Sequence, residues 1–238
     1  MYRRRVTVFV GHFGSGKTEI ALNAALELAG SGSSVALADL DVVKPYFRSR
    51  SARAMLDAAG IDLLAPTGAN VHSDLPIIVP QIRSHLRRDH SRLIVDVGGD
   101  DVGARVLGSL SDVVPHADTD CFLVLNFRRP GTPDPQSAVR VIREIEAVGR
   151  LPVSGLISNT HLMDETTPEV VVEGYHRALE TARLADVPLV AVTVGEDLVA
   201  ELDATAFDCP VVAMRRIVLP PFAQDIERRT TGPLFVVN

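Results

Sequence analysis

Short apolar runs alternate with longer segments along most of the chain, and the two kinds of segment differ in periodicity. In the longer segments apolar residues recur every three or four positions, as in an amphipathic helix. Short apolar strands separated by helices are typical of a parallel sheet covered on both faces. The pattern therefore predicts an α/β protein, a three-layer sandwich with a mostly parallel central sheet. The predicted strands are 5–10, 35–38, 61–64, 93–95, 122–125, 153–157 and 189–192, and the predicted helices are 19–29, 49–59, 76–88, 101–114, 135–148 and 168–185, with a shorter element after Val194.

Length and composition fit one globular domain. The 238 residues are 46% hydrophobic, which is enough to bury one substantial core, so we predict a single domain over residues 1–238. The net charge of −6 argues against nucleic-acid binding over the whole surface, although a local basic patch stays possible. We therefore expect no bulk nucleic-acid binding.

The sequence carries no mark of export or membrane insertion. No segment approaches the roughly 18 consecutive apolar residues of a membrane span. The apolar run behind the basic residues Met1 to Arg5 is too short for a signal peptide. Cys121 and Cys209 lack the spacing of a metal or redox motif and are predicted to be buried thiols. These features favour a cytoplasmic protein without a membrane anchor.

A glycine-rich segment falls where the first predicted strand turns into the first predicted helix. It reads Gly11-His12-Phe13-Gly14-Ser15-Gly16-Lys17-Thr18. This is a complete phosphate-binding loop (P-loop), in which main-chain amides and a helix N-terminus surround phosphate oxygens. Lys17 is expected to reach the β- and γ-phosphates, and the Thr18 hydroxyl to bind Mg²⁺. The alternative is a glycine-rich turn that binds nothing.

Carboxylates follow two other predicted strands. Asp39 and Asp41 end the second strand, and Asp96 ends the fourth, before two glycines. Ligands bind beyond the carboxyl ends of parallel strands, and a buried carboxylate needs a cation or water beside it. Asp96 has the arrangement of a Walker B acid, which holds magnesium, while Asp39 and Asp41 suit a magnesium-bound or attacking water. A solvated turn and a helix cap are the alternatives.

Two more strand ends carry candidate binding residues. Arg128 and Arg129 follow the fifth strand and could clamp an anion or enter a neighbouring subunit's site, unless they form a solvated basic loop. Asn159 follows the sixth strand, and its amide offers a donor and an acceptor to an adenine edge. The Asn-Lys-x-Asp sequence that reads guanine is missing here, which favours ATP. An asparagine that only turns the chain is the alternative.

The segment 42–50, directly after Asp41, combines aromatic, proline and basic residues. Such a loop beside the catalytic acids suits a switch that is ordered by the γ-phosphate and released after hydrolysis. Its Tyr46 and arginines would suit contact with a protein partner. Packing of its aromatic residues on the sheet edge is the alternative.

The order of these motifs resembles that of the MinD/ParA-like ATPases, which belong to the SIMIBI class of P-loop proteins and have the CobQ/CobB and dethiobiotin synthetase ligases as relatives. The resemblance covers roughly residues 5–214 and implies the P-loop NTPase fold. It implies that Asp41 positions or activates the attacking water and that Lys17 acts with it in catalysis. It also implies that Asp39 and Asp96 join Thr18 around Mg²⁺.

One position departs from that family. Its members place a signature lysine second in the P-loop, where the lysine crosses a dimer to the partner's nucleotide, and this chain has His12 there. The possibility of a homodimer therefore rests on the family resemblance alone. Another cation could replace the lysine, and the candidates are Arg48, Arg50, Arg128 and Arg129.

The function predicted from these residues is a Mg²⁺-dependent ATPase switch that binds ATP and ADP and acts on a protein partner through the 42–50 loop. The alternative is an ATP-dependent small-molecule ligase or kinase related to CobQ and dethiobiotin synthetase, because the nucleotide residues alone do not separate the two. A GTP-dependent metal-insertion chaperone is disfavoured, since the sequence shows no His/Cys cluster and no guanine motif.

Overall fold

The computed structural model describes residues 1–40, 50–65, 75–87, 91–99 and 101–218. Within these residues eight parallel strands form one sheet in the order β3-β2-β4-β1-β5-β6-β7-β8. The strands are β1 (Val6–Val10), β2 (Val35–Leu40), β3 (Asp62–Leu64), β4 (Arg92–Val97), β5 (Thr119–Leu125), β6 (Gly155–Ser158), β7 (Leu189–Gly195) and β8 (Val211–Met214). The helices are α1 (Lys17–Gly30), α2 (Arg50–Ala58), α3 (Leu75–Leu86), α4 (Asp101–Ser109), α5 (Pro135–Gly149) and α6 (Pro168–Ala185).

The three-layer α/β prediction is confirmed, because apolar clusters cover both faces of the sheet. On one face Phe9, Ile94 and Phe122 pack with α1 and α2. On the other face Val8 and Val95 belong to a cluster that includes residues of α3 to α6. Strands buried on both sides need continuous apolar runs, which explains why the runs in the sequence do not alternate with polar residues.

The described residues after β7 differ from the sequence prediction. Where a short element was predicted after Val194, the chain forms two short 3-10 helices, Val199–Glu201 and Ala204–Ala206, and then β8, a parallel strand at the edge of the described sheet. Val211 and Val212 of β8 are half-buried, as expected for an edge strand. An edge strand needs only a short apolar run, which is hard to recognise in the sequence. Helix α4 also ends earlier than predicted, at Ser109.

The two cysteines are free thiols with different surroundings. Cys121 is fully buried in β5, and burial raises its pKa to about 12, so the prediction for this residue is confirmed. Cys209 is only half-buried, which corrects the prediction of a buried thiol. It precedes the edge strand β8, where no further strand is described to cover it. Among the described helices, none has the length and apolar character needed to cross a membrane.

Candidate nucleotide site

The predicted P-loop lies between the end of β1 and the start of α1, at the carboxyl edge of the sheet. Strand β1 is flanked by β4 and β5, so the loop is bordered by the residues that end both neighbours. The loop turns tightly, with the Ser15 amide donating to the His12 carbonyl at 3.2 Å. Lys17 is buried, and its ammonium donates to the same His12 carbonyl at 3.0 Å. The loop and its lysine therefore form one compact unit.

Side chains from outside the loop bind its carbonyl oxygens. The Gly14 carbonyl accepts from Arg129 Nε at 3.1 Å and from Asn126 Nδ2 at 3.4 Å. The Ser15 carbonyl accepts from Asn159 Nδ2 at 2.7 Å. Carbonyl oxygens repel phosphate, whereas amides attract it. These three side chains thus form hydrogen bonds with the loop carbonyl oxygens that would otherwise repel a phosphate.

Two glycines are required by close contacts at this loop. Gly16, which precedes α1, has φ +92°, and an added β-carbon would overlap the Asn159 amide. Gly99, two residues after β4, lies so close to the loop that a β-carbon there would be 2.6 Å from the Phe13 nitrogen. Side chains at either position would push the P-loop away from its neighbours.

The residues predicted to surround magnesium, Thr18, Asp39 and Asp96, lie at the same edge of the sheet. The Thr18 hydroxyl donates to Asp96 Oδ2 at 2.6 Å, joining the first turn of α1 to the end of β4. Asp39 and Asp96 are register partners on adjacent strands, so their side chains leave the same face of the sheet. Both carboxylates are buried. A hydroxyl and two carboxylates are the hard oxygen groups that Mg²⁺ prefers, directly or through water, so the set fits this ion.

Several predicted residues lie outside the described part of the chain. They are Asp41 and residues 42–49 of the predicted partner loop, which include Arg48. Arg50 is described only as the first residue of α2. The roles predicted for these residues stay predictions.

Asn126 is a central site residue whose importance the sequence did not indicate. It follows β5 and is completely buried. Its amide nitrogen donates to the carbonyls of Gly14 and His161, and its Oδ1 accepts from the amides of Arg128 and His161 at 3.0 and 3.3 Å. Asn126 therefore connects the P-loop to the loops after β5 and β6. The position directly after a buried strand was the only available signal.

Arg128 and Arg129, adjacent in sequence, point to different neighbours. Arg128 forms an ion pair with Glu173 of α6 and faces away from the P-loop. Arg129 binds the Gly14 carbonyl and lines the pocket beside the loop. Of these two candidates for the missing cation, only Arg129 is placed at the phosphate-binding loop.

A pocket of about 600 Å³ opens beside the P-loop. Its volume lies in the range of small-molecule sites, about 300–1,000 Å³. Asn159 lies at this pocket, where its Oδ1 accepts from the Thr193 hydroxyl at 2.8 Å. Its amide thus supports the P-loop and β7, and reading of an adenine by Asn159 stays a prediction. The lining also includes Lys17, Thr18, Arg129, His161, Glu196, Asp197, Arg215 and Arg216.

Helix α1 also holds the segment after β8, which forms part of the pocket wall. Asn23 exchanges two hydrogen bonds with the main chain of Arg215, at 2.9 and 3.0 Å. Glu19 accepts from the amides of Ile217 and Val218, and burial raises the pKa of its carboxyl. The helix that begins at the P-loop therefore fixes the far wall of the pocket. Local spacing could not predict this contact, because it joins residues almost 200 positions apart.

Comparisons with solved structures agree with this architecture. The chain is similar to FtsY from Mycoplasma mycoides, with a TM-score of 0.53 and 19% identity over 82% of this chain and 62% of that one. It is similar to chloroplast FtsY from Physcomitrella patens, with a TM-score of 0.54 and 20% identity over 82% and 59%. The signal recognition particle receptor FtsY from Elizabethkingia anophelis, solved in complex with GDP, has a TM-score of 0.50 and 21% identity over 82% and 58%.

The chain thus spans about 62% of the length of the first FtsY structure it matches. Its sequence matches no model of a known protein family and no curated protein. The comparisons establish the fold, a mostly parallel α/β sheet of the P-loop NTPase type as in FtsY, in agreement with the fold that the motifs predicted.

Proposed function

We propose that this protein is a Mg²⁺-dependent nucleoside triphosphatase that uses ATP and works as a switch. The observation that carries the proposal is the joint placement of the P-loop, Lys17 and the Thr18–Asp96 hydrogen bond beside one pocket. An ammonium, a helix N-terminus and hard oxygen ligands are the groups that bind the triphosphate and its cation.

In the proposed reaction a water oxygen forms a bond to the γ-phosphorus while the bond from that phosphorus to the β–γ bridging oxygen breaks. ADP leaves with the bonding electron pair, and the proton lost by the water passes to phosphate or solvent. Lys17 offsets charge on the phosphates, and Asp41 orients the attacking water. Bound Mg²⁺, held by Thr18 with Asp39 and Asp96 around it, would supply further charge neutralisation.

The preference for ATP rests on Asn159 and on the absence of a guanine motif in the sequence. The structure of FtsY in complex with GDP is a reason to test the base directly. Competition of labelled ATP with excess GTP decides it. Weak displacement by GTP supports ATP as the ligand, and equal displacement contradicts it.

The proposed partner surface is the 42–50 loop, with a homodimer as a second possibility from the family resemblance. A pull-down with a non-hydrolysable ATP analogue and with ADP tests the switch. A protein retained in only one nucleotide state supports a switch. Turnover that requires an added metabolite, without any such partner, supports a ligase or kinase instead.

Titration calorimetry with Mg-ATP tests the nucleotide site itself. We expect wild-type protein to bind, Lys17→Ala to lose at least about 100-fold in affinity, and chelation of Mg²⁺ to weaken binding. Asp41→Ala is the matched control for the fold, because it should still bind ATP while losing hydrolysis. Absence of heat from wild-type protein with both ATP and GTP would contradict the proposal.

A further inference from the structure

We propose that Arg129 places its guanidinium on the phosphates of the nucleotide bound by its own chain. Arg129 then supplies, within one subunit, the cation that the MinD/ParA-like P-loop receives from a dimer partner. This inference rests on the proposed nucleotide binding and adds a residue to it.

The loop after β5 holds Arg129 in a fixed position. The Arg129 amide donates to the Asn126 carbonyl at 3.1 Å, and its carbonyl accepts from the Thr132 amide at 3.1 Å. The Thr132 hydroxyl also donates to the Asn126 carbonyl, at 3.0 Å, and is buried. Because Asn126 binds the P-loop directly, the main chain of Arg129 is positioned relative to the phosphate-binding loop.

The side chain of Arg129 lies along the P-loop. Its Nε donates to the Gly14 carbonyl, and its Cδ lies 3.3 Å from the position of a β-carbon at Gly14. A guanidinium has five N–H donors, of which this bond uses one. Among the described residues no carboxylate forms an ion pair with Arg129, whereas Arg128 is paired with Glu173. The remaining donors belong to a side chain that lines the same pocket as Lys17.

The charge of Arg129 already acts on its surroundings. His161 lies near Gly16, and a β-carbon there would be 3.7 Å from its Nε2. Burial, together with the positive charges of Arg129 and Arg216, lowers the pKa of His161 to about 4. Burial is the larger cause, and the two arginines add positive charge that disfavours a further cation at His161.

The contact around His12 explains why the cation comes from this loop. His12 occupies the second P-loop position, and its ring lies where a β-carbon of Gly131 would be. Gly131 follows Arg129 by two residues, so the loop that carries Arg129 packs directly on the position of the missing lysine. The histidine at the lysine position and the loop that carries Arg129 are thus parts of one contact within a single chain.

The test compares Arg129→Ala and Arg129→Lys with Arg128→Ala as the matched control from the neighbouring position. We expect Arg129→Ala to slow single-turnover ATP hydrolysis at least about 100-fold and to weaken an ATP analogue more than ADP. Arg129→Lys should recover part of the loss, because it keeps the charge but not the planar fork. Arg128→Ala should match wild-type protein. A purely structural role would instead weaken ATP and ADP equally, with no rescue by lysine, and would contradict the proposal.

Mixing variants tests whether the arginine acts within its own chain. Lys17→Ala keeps Arg129, and Arg129→Ala keeps an intact P-loop. If Arg129 acts within its own chain, a mixture of the two has no more activity than the separate proteins. Restored activity in the mixture would overturn the proposal. If wild-type protein binds nucleotide but Arg129→Ala behaves as wild type, only this inference is wrong, whereas failure of wild-type protein to bind removes the proposed function as well.

Discussion

Several polar side chains beneath the P-loop, at the carboxyl end of the sheet, are buried, whereas each ion pair at the amino end keeps one partner in contact with water. Lys17, Asp96 and Asn126 are 6%, 3% and 0% exposed. Lys17 and Asn126 donate to carbonyls of the P-loop, and Asp96 accepts from the Thr18 hydroxyl. The amino end instead carries partly exposed ion pairs, such as Arg4–Asp120 and Arg5–Asp118. Burial of polar groups is costly unless each is hydrogen-bonded, so we expect stability at the carboxyl end to depend strongly on these bonds.

The largest stability effect is expected at Asn126, where the carboxyl end depends most on one side chain. Asn126→Ala removes four part-buried hydrogen bonds to the main chain of Gly14, Arg128 and His161 and leaves a space where the completely buried Asn126 side chain was. We expect the free energy of unfolding to fall by about 3 kcal/mol, measured by urea denaturation. Nucleotide affinity should fall with it, because the P-loop loses its support. A loss below about 1 kcal/mol would show that the two ends of the sheet do not differ as we infer.

Much of this region could be predicted because its signals are local. The P-loop, Asp39 and Asp96 each stand directly after a short apolar strand, and the sheet then brings strand ends together. The support of the loop could not be predicted, since Asn126 and Asn159 act through main-chain contacts made only in the folded protein. The same limit applies to Arg128 and Arg129.

Two adjacent arginines cannot be distinguished in the sequence. The turn between Asn126 and Thr132 determines that their side chains contact different neighbours. Strand order was also outside the reach of a single sequence, because periodicity reports burial and not which strands are neighbours. The contact of Glu19 and Asn23 with the segment after β8 requires that order, so it could not be found from local spacing.

The next effect concerns the backbone of the P-loop. Gly16→Ala places a β-carbon on the Asn159 amide at a positive φ, and we expect it to cost about 1–2 kcal/mol of stability and at least about tenfold in nucleotide affinity. Gly30→Ala is the matched control on the same helix, because a β-carbon there meets nothing within 4 Å. It should leave both quantities unchanged or raise stability slightly. Equal effects of the two variants would remove the special role of Gly16.

A pH effect of similar size is expected at His161. Its pKa in the folded protein, about 4, lies below the ordinary value of 6.5, so protonation favours the unfolded chain. Above pH 6.5 His161 is neutral in both states and does not lower the free energy of unfolding. As the pH falls from 6.5 toward 4, the unfolded chain takes up the proton first and the free energy of unfolding decreases. Between pH 7 and pH 5 we expect wild-type protein to lose about 1–2 kcal/mol more than His161→Gln in urea denaturation. If the free energy of unfolding changed equally with pH in the two proteins, His161 would not be the cause of the pH dependence.

The smallest effect is expected at the amino end, from Asp120→Ala. The Arg4 Nε lies 3.5 Å from Asp120 Oδ1, and the two side chains are 43% and 13% exposed. Asp120 Oδ2 also accepts from the Arg4 amide at 3.3 Å, a contact that is exposed to water. Because water replaces such a partner and salt screens the pair, we expect a loss below about 1 kcal/mol, smaller still at high salt, and unchanged nucleotide affinity. Urea denaturation at low and high salt measures it. If Asp120→Ala cost as much as Asn126→Ala, burial would not be what distinguishes the two ends, and the polar groups beneath the P-loop would need another explanation.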